Sequence, residues 1–312
     1  MSNWRSEGMK KLKLYLMEVR APFFTASIVP IVLGSVIAFH KTHTFNWTYF
    51  VLALIGGVFL HAGANVINDY FDHLSQNDEI NNEFVRPFTG GSRLIQHGLL
   101  APTEVLIEAL VCLFIGSSIG LFLSYKLGWV ILVIGIFGVL SAVFYVFPQV
   151  NLVGKGIGEV LIGINFGILM TFGAFYVQAA QFSWVPIIAS LPVALLITAV
   201  LYINEFQDAK ADHAVGKNHL VVRLGKKQAV KVYILIMLLT YLIVVLGVVT
   251  DTLPPISLIA MLTLPLAFKS IKIAQANYDD SLKLVPANAS TIMNHLFTGL
   301  LLIISFFLDQ VI

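Results

Sequence analysis

The chain has 312 residues, 58% of them hydrophobic and only 12% charged, with a formal net charge of +2 at pH 7. Soluble domains carry about 25% charged residues, so this composition excludes an ordinary water-soluble protein. It points to an all-α polytopic membrane bundle, one domain over residues 1–312, with the lipid bilayer as a partner and nucleic acid not expected as one.

An apolar run of roughly 17–25 residues can cross a bilayer as a helix. About nine such runs follow one another: 21–39, 49–70, 103–123, 128–147, 156–177, 184–202, 230–249, 254–268 and 291–307. The first follows basic residues, as in a signal peptide, but it is long, contains Pro22 and Pro30 and lacks a small-residue cleavage site. It reads as a retained helix. Cys112, the single cysteine, lies in the third run; it cannot form an internal disulfide and reads as a core residue. Glu108, near the start of that run, is expected to snorkel to the interface.

The distribution of Lys and Arg sets the expected orientation. One face receives Arg5, Lys10, Lys11, Lys13, Arg20, Arg86, Arg93 and Lys155, then the cations between 210 and 231 and between 269 and 283. The other receives Lys41 and Lys126. The N-terminus, the loops 73–101 and 205–229 and a large cavity are therefore expected on the cytoplasmic side of the cell membrane, with the C-terminus outside.

Residues 49–64 hold no charged side chain, yet NVINDYFDHLSQND, 65–78, follows at once. At 100° per residue Asn65, Asn68, Asp69 and Asp72 share one helical face. A second cluster, YINEFQDAKADHAVGK, 202–217, ends the sixth run, with Asn204, Asp208 and Asp212 at i, i+4 and i+8 and Glu205 beside them. Asn65-x-x-x-Asp69 and Asn204-x-x-x-Asp208 echo each other, a weak repeat that divides the chain into halves near 20–150 and 151–312. Clustered carboxylates repel one another and are costly near lipid, so a cation must offset them. Oxygen donors of this kind suit Mg²⁺ with a substrate phosphate, and two facing clusters could hold two ions around a diphosphate. The alternative is a pair of solvated helix ends.

The loops add cations. Arg86 and Arg93 flank PFTGGS, a Gly-rich turn whose backbone N–H groups could approach an anion. Arg93 and Lys217, beside glycines and acids, are the stronger phosphate candidates; Arg86 and Lys155 complete the expected diphosphate-binding set, and Lys226 and Lys227 read as surface charges. Glu159 lies inside the fifth run, where a carboxylate is a functional candidate or pairs with Lys155 one turn earlier.

NDYFD and NEFQDAKAD resemble the two aspartate-rich motifs of the UbiA superfamily of intramembrane prenyltransferases. VRAPFFTASIVPIVLGSVIAF is similar to that family's first helix. KGIGEVLIGINFGILMTFGAFYVQ, GKNHLVVRLGKK and LVPANASTIMNHLFTGLLL resemble its 1,4-dihydroxy-2-naphthoate branch, and in this order the matches run through almost the whole chain. The resemblance implies two Mg²⁺ ions on the diphosphate of a polyprenyl donor, an allylic carbocation, and attack by an aromatic acceptor. It implies metal ligation by Asn65, Asn68, Asp69, Asp72, Asp78, Asn204, Asp208 and Asp212, with Asp69, Asp72, Asp208 and Asp212 catalytic. N-x-x-x-D-x-x-x-D begun at Asn68 reaches Asp72 and then Gln76; an aspartate two residues on, Asp78, matches the naphthoate branch. PFTGG departs from the form expected in that branch, so hydroxybenzoate, homogentisate or a non-quinone alcohol remain alternative acceptors. Aromatic faces would stabilise the cation. Tyr145 and Tyr202 are the preferred wall residues, with Phe71 beside them. From a different class, a transporter binding divalent cations or anions is the alternative, but it would place its site near the midplane, and these acids gather at one surface.

Overall fold

A computed structural model describes residues 2–312, with side chains from Lys10 onward; the side chain of Arg5 lies outside the described residues. An N-terminal helix, α1 (Ser2–Glu18), precedes α2 (Ala21–Thr42), α3 (Trp47–Leu74), α4 (Pro102–Leu127), α5 (Trp129–Val146), α6 (Gly158–Ala179), α7 (Val185–Ala214), α8 (Lys226–Val249), α9 (Pro255–Asn277) and α10 (Ser281–Val311). Among the described residues there is no strand, and α2 to α10 are the nine helices long and apolar enough to cross a membrane. Only helices and closed barrels satisfy their backbone polar groups in hydrocarbon.

Local chemistry fixes the helix starts. Asn46 Oδ1 accepts the Tyr49 N–H at 3.0 Å to begin α3, and Asp280 Oδ1 accepts the Lys283 N–H at 3.1 Å to begin α10. At α4 the Ala101 N–H donates to Glu104 Oε2 at 3.0 Å and Pro102 supplies the first helical residue. Three helices overrun their apolar runs. α7 continues to Ala214, so the second acidic cluster belongs to the helix itself, and the loop expected from 205 is shorter. α10 begins at Ser281 with Pro286 in its second turn, and α9 extends the short eighth run to Asn277. In each case buried polar residues lie in the extension beyond the apolar run: Glu205 and Asp212 in α7, Ser270 in α9 and Asn288 in α10.

The helices pack as α3 on α4, α2 on α6, α7 on α8, and α10 on α2, α7 and α9. Large apolar side chains such as Phe114, Trp129 and Leu262 point outward, each more than 70% exposed, a surface that lipid covers. Where α6 crosses α7, a Cβ added at Gly167 would lie 2.3 Å from Ala194 Cβ, so glycine sets the closeness of that crossing. A ladder of buried hydrogen bonds joins α8, α9 and α10: Tyr233–Thr291 at 2.6 Å, Tyr241–Asn294 at 2.9 Å, Thr263–Thr298 at 2.8 Å and Ser257–Ser305 at 2.9 Å. Each contributes about 0.6 kcal/mol.

This packing brings the C-terminal ends of α3 and α7 to the same end of the bundle. At the opposite end the Asn46 N–H donates to Gln178 Oε1 at 2.8 Å, and His40 meets Asp309 at 2.8 Å.

Candidate active site

The first cluster rides the last turns of α3. That helix stops at Leu74, and Gln76 adopts a left-handed conformation, φ 61°. Gln76 therefore leaves the acidic face and is exposed. The short helix Asn77–Ile80 then returns Asn77 and Asp78 to the interior, both buried. This geometry explains why an aspartate stands at 78 and none at 76.

Asp69 Oδ2 accepts the Ser92 N–H at 2.7 Å, while its Oδ1 is buried without a partner. The turn presenting Ser92 needs two left-handed glycines, Gly90 and Gly91. A Cβ on Gly91 would sit 2.9 Å from Asp69 Oδ1, so the loop backbone closes directly over this carboxylate. Ser92 Oγ donates in turn to Glu18 Oε2 at 2.5 Å. Burial, and then the charge of Asp69, push the Glu18 carboxyl from its ordinary 4.5 up to about 8. Asn68 Nδ2 donates to Asp72 Oδ2 at 2.9 Å, Lys217 Nζ pairs with Asp72 Oδ1, and Asn65 Nδ2 donates to the Val19 carbonyl at 3.1 Å. The Arg93 guanidinium donates to the Asp78 backbone oxygen at 2.5 Å, stands 4.0 Å from Asp78 Oδ1 and lies over the Phe84 ring at 4.0 Å. Burial, and then the charges of Asp72 and Asp69, push Asp78 up to about 9.

The second cluster rides the last turns of α7. Asn81 Nδ2 donates to Asp208 Oδ1 and Asn77 Nδ2 donates to Asp212 Oδ1, both at 2.7 Å. Loop residues that follow α3 thus clasp the acids of α7. Reciprocally, Lys217 follows α7 and pairs with Asp72 of α3. Burial disfavours the Lys217 charge, but Asp72 and Asp212 outweigh it and hold the ammonium above its usual range. Asn204 turns aside, its Oδ1 accepting Asn288 Nδ2 at 2.7 Å.

Asn65, Asn68, Asp69, Asp72, Asp78, Asp208, Asp212, Arg93 and Lys217 thus meet at one end of the bundle. Arg86 and Lys155 are exposed, and neither contacts an acid of the clusters among the described residues. Of the two readings of Glu159, the pair with Lys155 does not form among the described residues: Glu159 is buried and its Oε1 accepts the Leu220 N–H at 2.6 Å. The segment after α7 reaches Glu159 through Leu220, a contact that one-dimensional spacing does not record. Glu108 is half-buried, with its Oε2 buried without a partner.

Beside the clusters an apolar cavity of about 350 Å³ extends into the bundle. Arg20, Asn65 and Asn68 line its polar end, Ile31, Leu60 and Phe166 its middle, and Leu123, Ile131 and Val177 the end farthest from the acids. Tyr145 lines it, as expected of a wall residue. Tyr202 is fully buried behind Leu201, and Phe71 packs edge-on against Phe147 at 5.6 Å, so neither is on its surface. His61 also lines it, its Nδ1 2.7 Å from Ser27 Oγ and its ring 4.6 Å from that of Phe166. Sequence reading missed His61, Asn77, Asn81, Ser92, Glu18 and His219. A lone histidine in the uncharged stretch 49–64 was a readable signal. The asparagines of NDEINN stood in plain view without a partner to suggest.

The donors around Asp69, Asp72, Asp208 and Asp212 are carboxylate and amide oxygens, a hard set that could hold Mg²⁺. The unpartnered, buried Asp69 Oδ1 and Asn77 Oδ1 are oxygens that such an ion would satisfy.

Comparison with known proteins agrees with this architecture. The UbiA prenyltransferase family model matches residues 27–298. The chain is 27% identical over 292 residues to the 2-carboxy-1,4-naphthoquinone phytyltransferase of Synechocystis sp., covering 93% of this chain and 92% of that one. It is 25% identical over 278 residues to the 1,4-dihydroxy-2-naphthoate octaprenyltransferase of Bacillus subtilis, covering 89% and 87%. In fold it is similar to a UbiA homologue from Archaeoglobus fulgidus bound to DMAPP and Mg²⁺, with a TM-score of 0.63 and 18% identity, over 93% of this chain and 98% of that one. With the family match spanning most of the nine-helix bundle, this chain belongs to the UbiA prenyltransferase family and is a multi-pass membrane prenyltransferase.

Proposed function

We propose that the protein transfers a polyprenyl group from a polyprenyl diphosphate to 1,4-dihydroxy-2-naphthoate in menaquinone biosynthesis, using Mg²⁺. The observation that carries the reaction type is the joining of the two acidic helix ends, through Asn77–Asp212 and Asn81–Asp208 at 2.7 Å, beside a long apolar cavity. The naphthoate acceptor rests on the curated relatives named above and on Asp78, whose position matches that branch.

In this reading Asp69, Asp72, Asp208 and Asp212 are the ligating carboxylates, assisted by Asn65, Asn68 and Asp78, while Asn204, whose Oδ1 accepts from Asn288, steadies the last turns of α7 rather than ligating. Mg²⁺ bound there would neutralise the charge that develops on the diphosphate as the C–O bond breaks. Lys217 is the chain's own cation at that position. Arg93 fixes Asp78 through its carbonyl, and the exposed Arg86 and Lys155 complete the diphosphate-binding set. The isoprenoid tail lies in the cavity between Leu60 and Val177, which keeps water from the allylic cation. The Tyr145 ring offers that cation an electron-rich face. The excess of Lys and Arg at the site end supports a site facing the cytoplasm in the cell membrane. The echoing motifs support a single domain grown from two halves, each supplying one acidic helix end.

The test is an assay of purified protein with Mg²⁺, a polyprenyl diphosphate and a panel of aromatic acceptors. Diphosphate release should require both metal and dihydroxynaphthoate, stop with EDTA and return with added Mg²⁺. Release with hydroxybenzoate or homogentisate but not dihydroxynaphthoate would remove the acceptor assignment. Release that ignores the metal would remove the mechanism.

A further inference from the structure

Behind the tyrosines at the site end lies a group of side chains that the transfer reaction does not use. Glu159 of α6, Glu205 of α7 and His219 of the loop after α7 each offer a donor atom within 4.8 Å of the others, and all three are buried. His219 Nδ1 stands 3.4 Å from Glu205 Oε2, and its Nε2 stands 3.2 Å from Asp212 Oδ2. Both carboxylate oxygens of Glu205, Oε2 of Glu159 and both ring nitrogens of His219 lack an aligned hydrogen-bond partner. The hydroxyls of Tyr145 and Tyr202 are likewise buried and unpartnered.

Such a group is expensive as it stands. Buried polar atoms are nearly always hydrogen-bonded, and a buried carboxylate without a counter-charge is strongly disfavoured. Protonating His219 would answer Glu205 and Asp212 and still leave Glu159 Oε2 and Glu205 Oε1 buried without a partner. A divalent ion among the three residues would satisfy the carboxylate oxygens and one ring nitrogen together. Asp212, next to Nε2, would then hold the imidazole tautomer that turns the Nδ1 lone pair toward the ion, the carboxylate–histidine–metal arrangement. The single imidazole distinguishes this donor set from the all-oxygen clusters nearby and suits a borderline cation better than Mg²⁺.

We propose that Glu159, Glu205 and His219 form a separate binding site for a divalent transition cation, Mn²⁺ or Zn²⁺. Its role is architectural. Glu159 already accepts the Leu220 N–H, so an ion here ties α6 and α7 to the loop that carries Lys217 to Asp72. The site lies one residue, His219, from the second acidic cluster, so occupancy would stiffen that cluster without entering the apolar cavity.

The test exploits the imidazole. Purified full-length protein in detergent is loaded with excess Mn²⁺ and studied by pulsed electron paramagnetic resonance. Ions in the oxygen-only clusters carry no directly bound nitrogen, whereas an ion on His219 shows an imidazole nitrogen coupling. The expected result is a nitrogen coupling in the wild type that is lost in His219→Asn, weakened in Glu205→Gln, and kept in Asp69→Ala. Equimolar Zn²⁺ added first should displace it. No nitrogen coupling in the wild type, which needs no folded variant to interpret, would overturn the proposal; so would a coupling that survives both His219→Asn and Glu205→Gln.

Discussion

The acids of α3 and of α7 look equivalent in sequence, yet the structure holds them differently. Asp208 and Asp212 are clasped by Asn81 and Asn77, which follow α3, and Asp72 is paired by Lys217, which follows α7. Each helix end is therefore completed by the other half's loop. Asp69 is the exception: its own half's Ser92 N–H holds it, and one oxygen remains free under Gly91. Asp72, Asp208 and Asp212 are cross-wired between the halves, whereas Asp69 keeps a buried oxygen with no partner.

The largest expected effect follows from that contrast. Asp69→Ala, Asp72→Ala, Asp208→Ala and Asp212→Ala should each lower turnover by at least about a hundredfold, the scale of removing one element of charge stabilisation, while the protein stays folded. Near-normal rates in any two of them, measured by diphosphate release, would break the assignment. Next, Lys217→Met leaves Asp72 buried and unpaired. Breaking such a pair costs about 3 kcal/mol, readable as a fall in thermal unfolding temperature, and bound Mg²⁺ should restore part of it. Asn81→Ala strips Asp208 of one donor and should cost about 1–2 kcal/mol. Its thermal shift should shrink in an Asp208→Asn background, because the two residues are coupled; a full additive loss would show that the clasp is not real.

A smaller effect lies in pH. Glu18 carries a raised carboxyl, about 8 when folded against an ordinary 4.5. The folded chain thus holds a proton that the unfolded chain releases. This contribution is fully present below pH 4.5 and is lost as pH rises through about 8. Glu18→Gln should flatten that part of the stability profile, and an unchanged slope between those pH values would count against the Glu18–Ser92–Asp69 chain. The smallest effect belongs to Lys126→Ala at the opposite end of the bundle, where activity should not change.

Much of this was legible in the chain. Nine apolar runs yield nine spans because lipid demands length and uniform hydrophobicity, and both are local properties. The acidic clusters were legible because carboxylates directly after an uncharged run violate that demand. The overrun of α7 to Ala214 was not, since its last turns are amphipathic and only the fold shows that Glu205 and Asp212 face inward. The asparagine clasps were hidden for a related reason. Asn77 and Asp212 are 135 residues apart, and no periodicity links them. Arg86 and Arg93 flank the same turn, yet one is exposed and the other buried over Phe84. The direction of a loop side chain depends on the backbone path, which composition does not specify.

The joining of the two helix ends into one diphosphate grip is tested most directly by Mg²⁺-dependent binding of a non-cleavable prenyl diphosphate analogue to Asp69→Ala, Asp208→Ala and the double variant. If both acids grip the same group, each single substitution should abolish binding as completely as the pair. Partial losses in the singles that sum to the loss in the double variant would contradict a shared site.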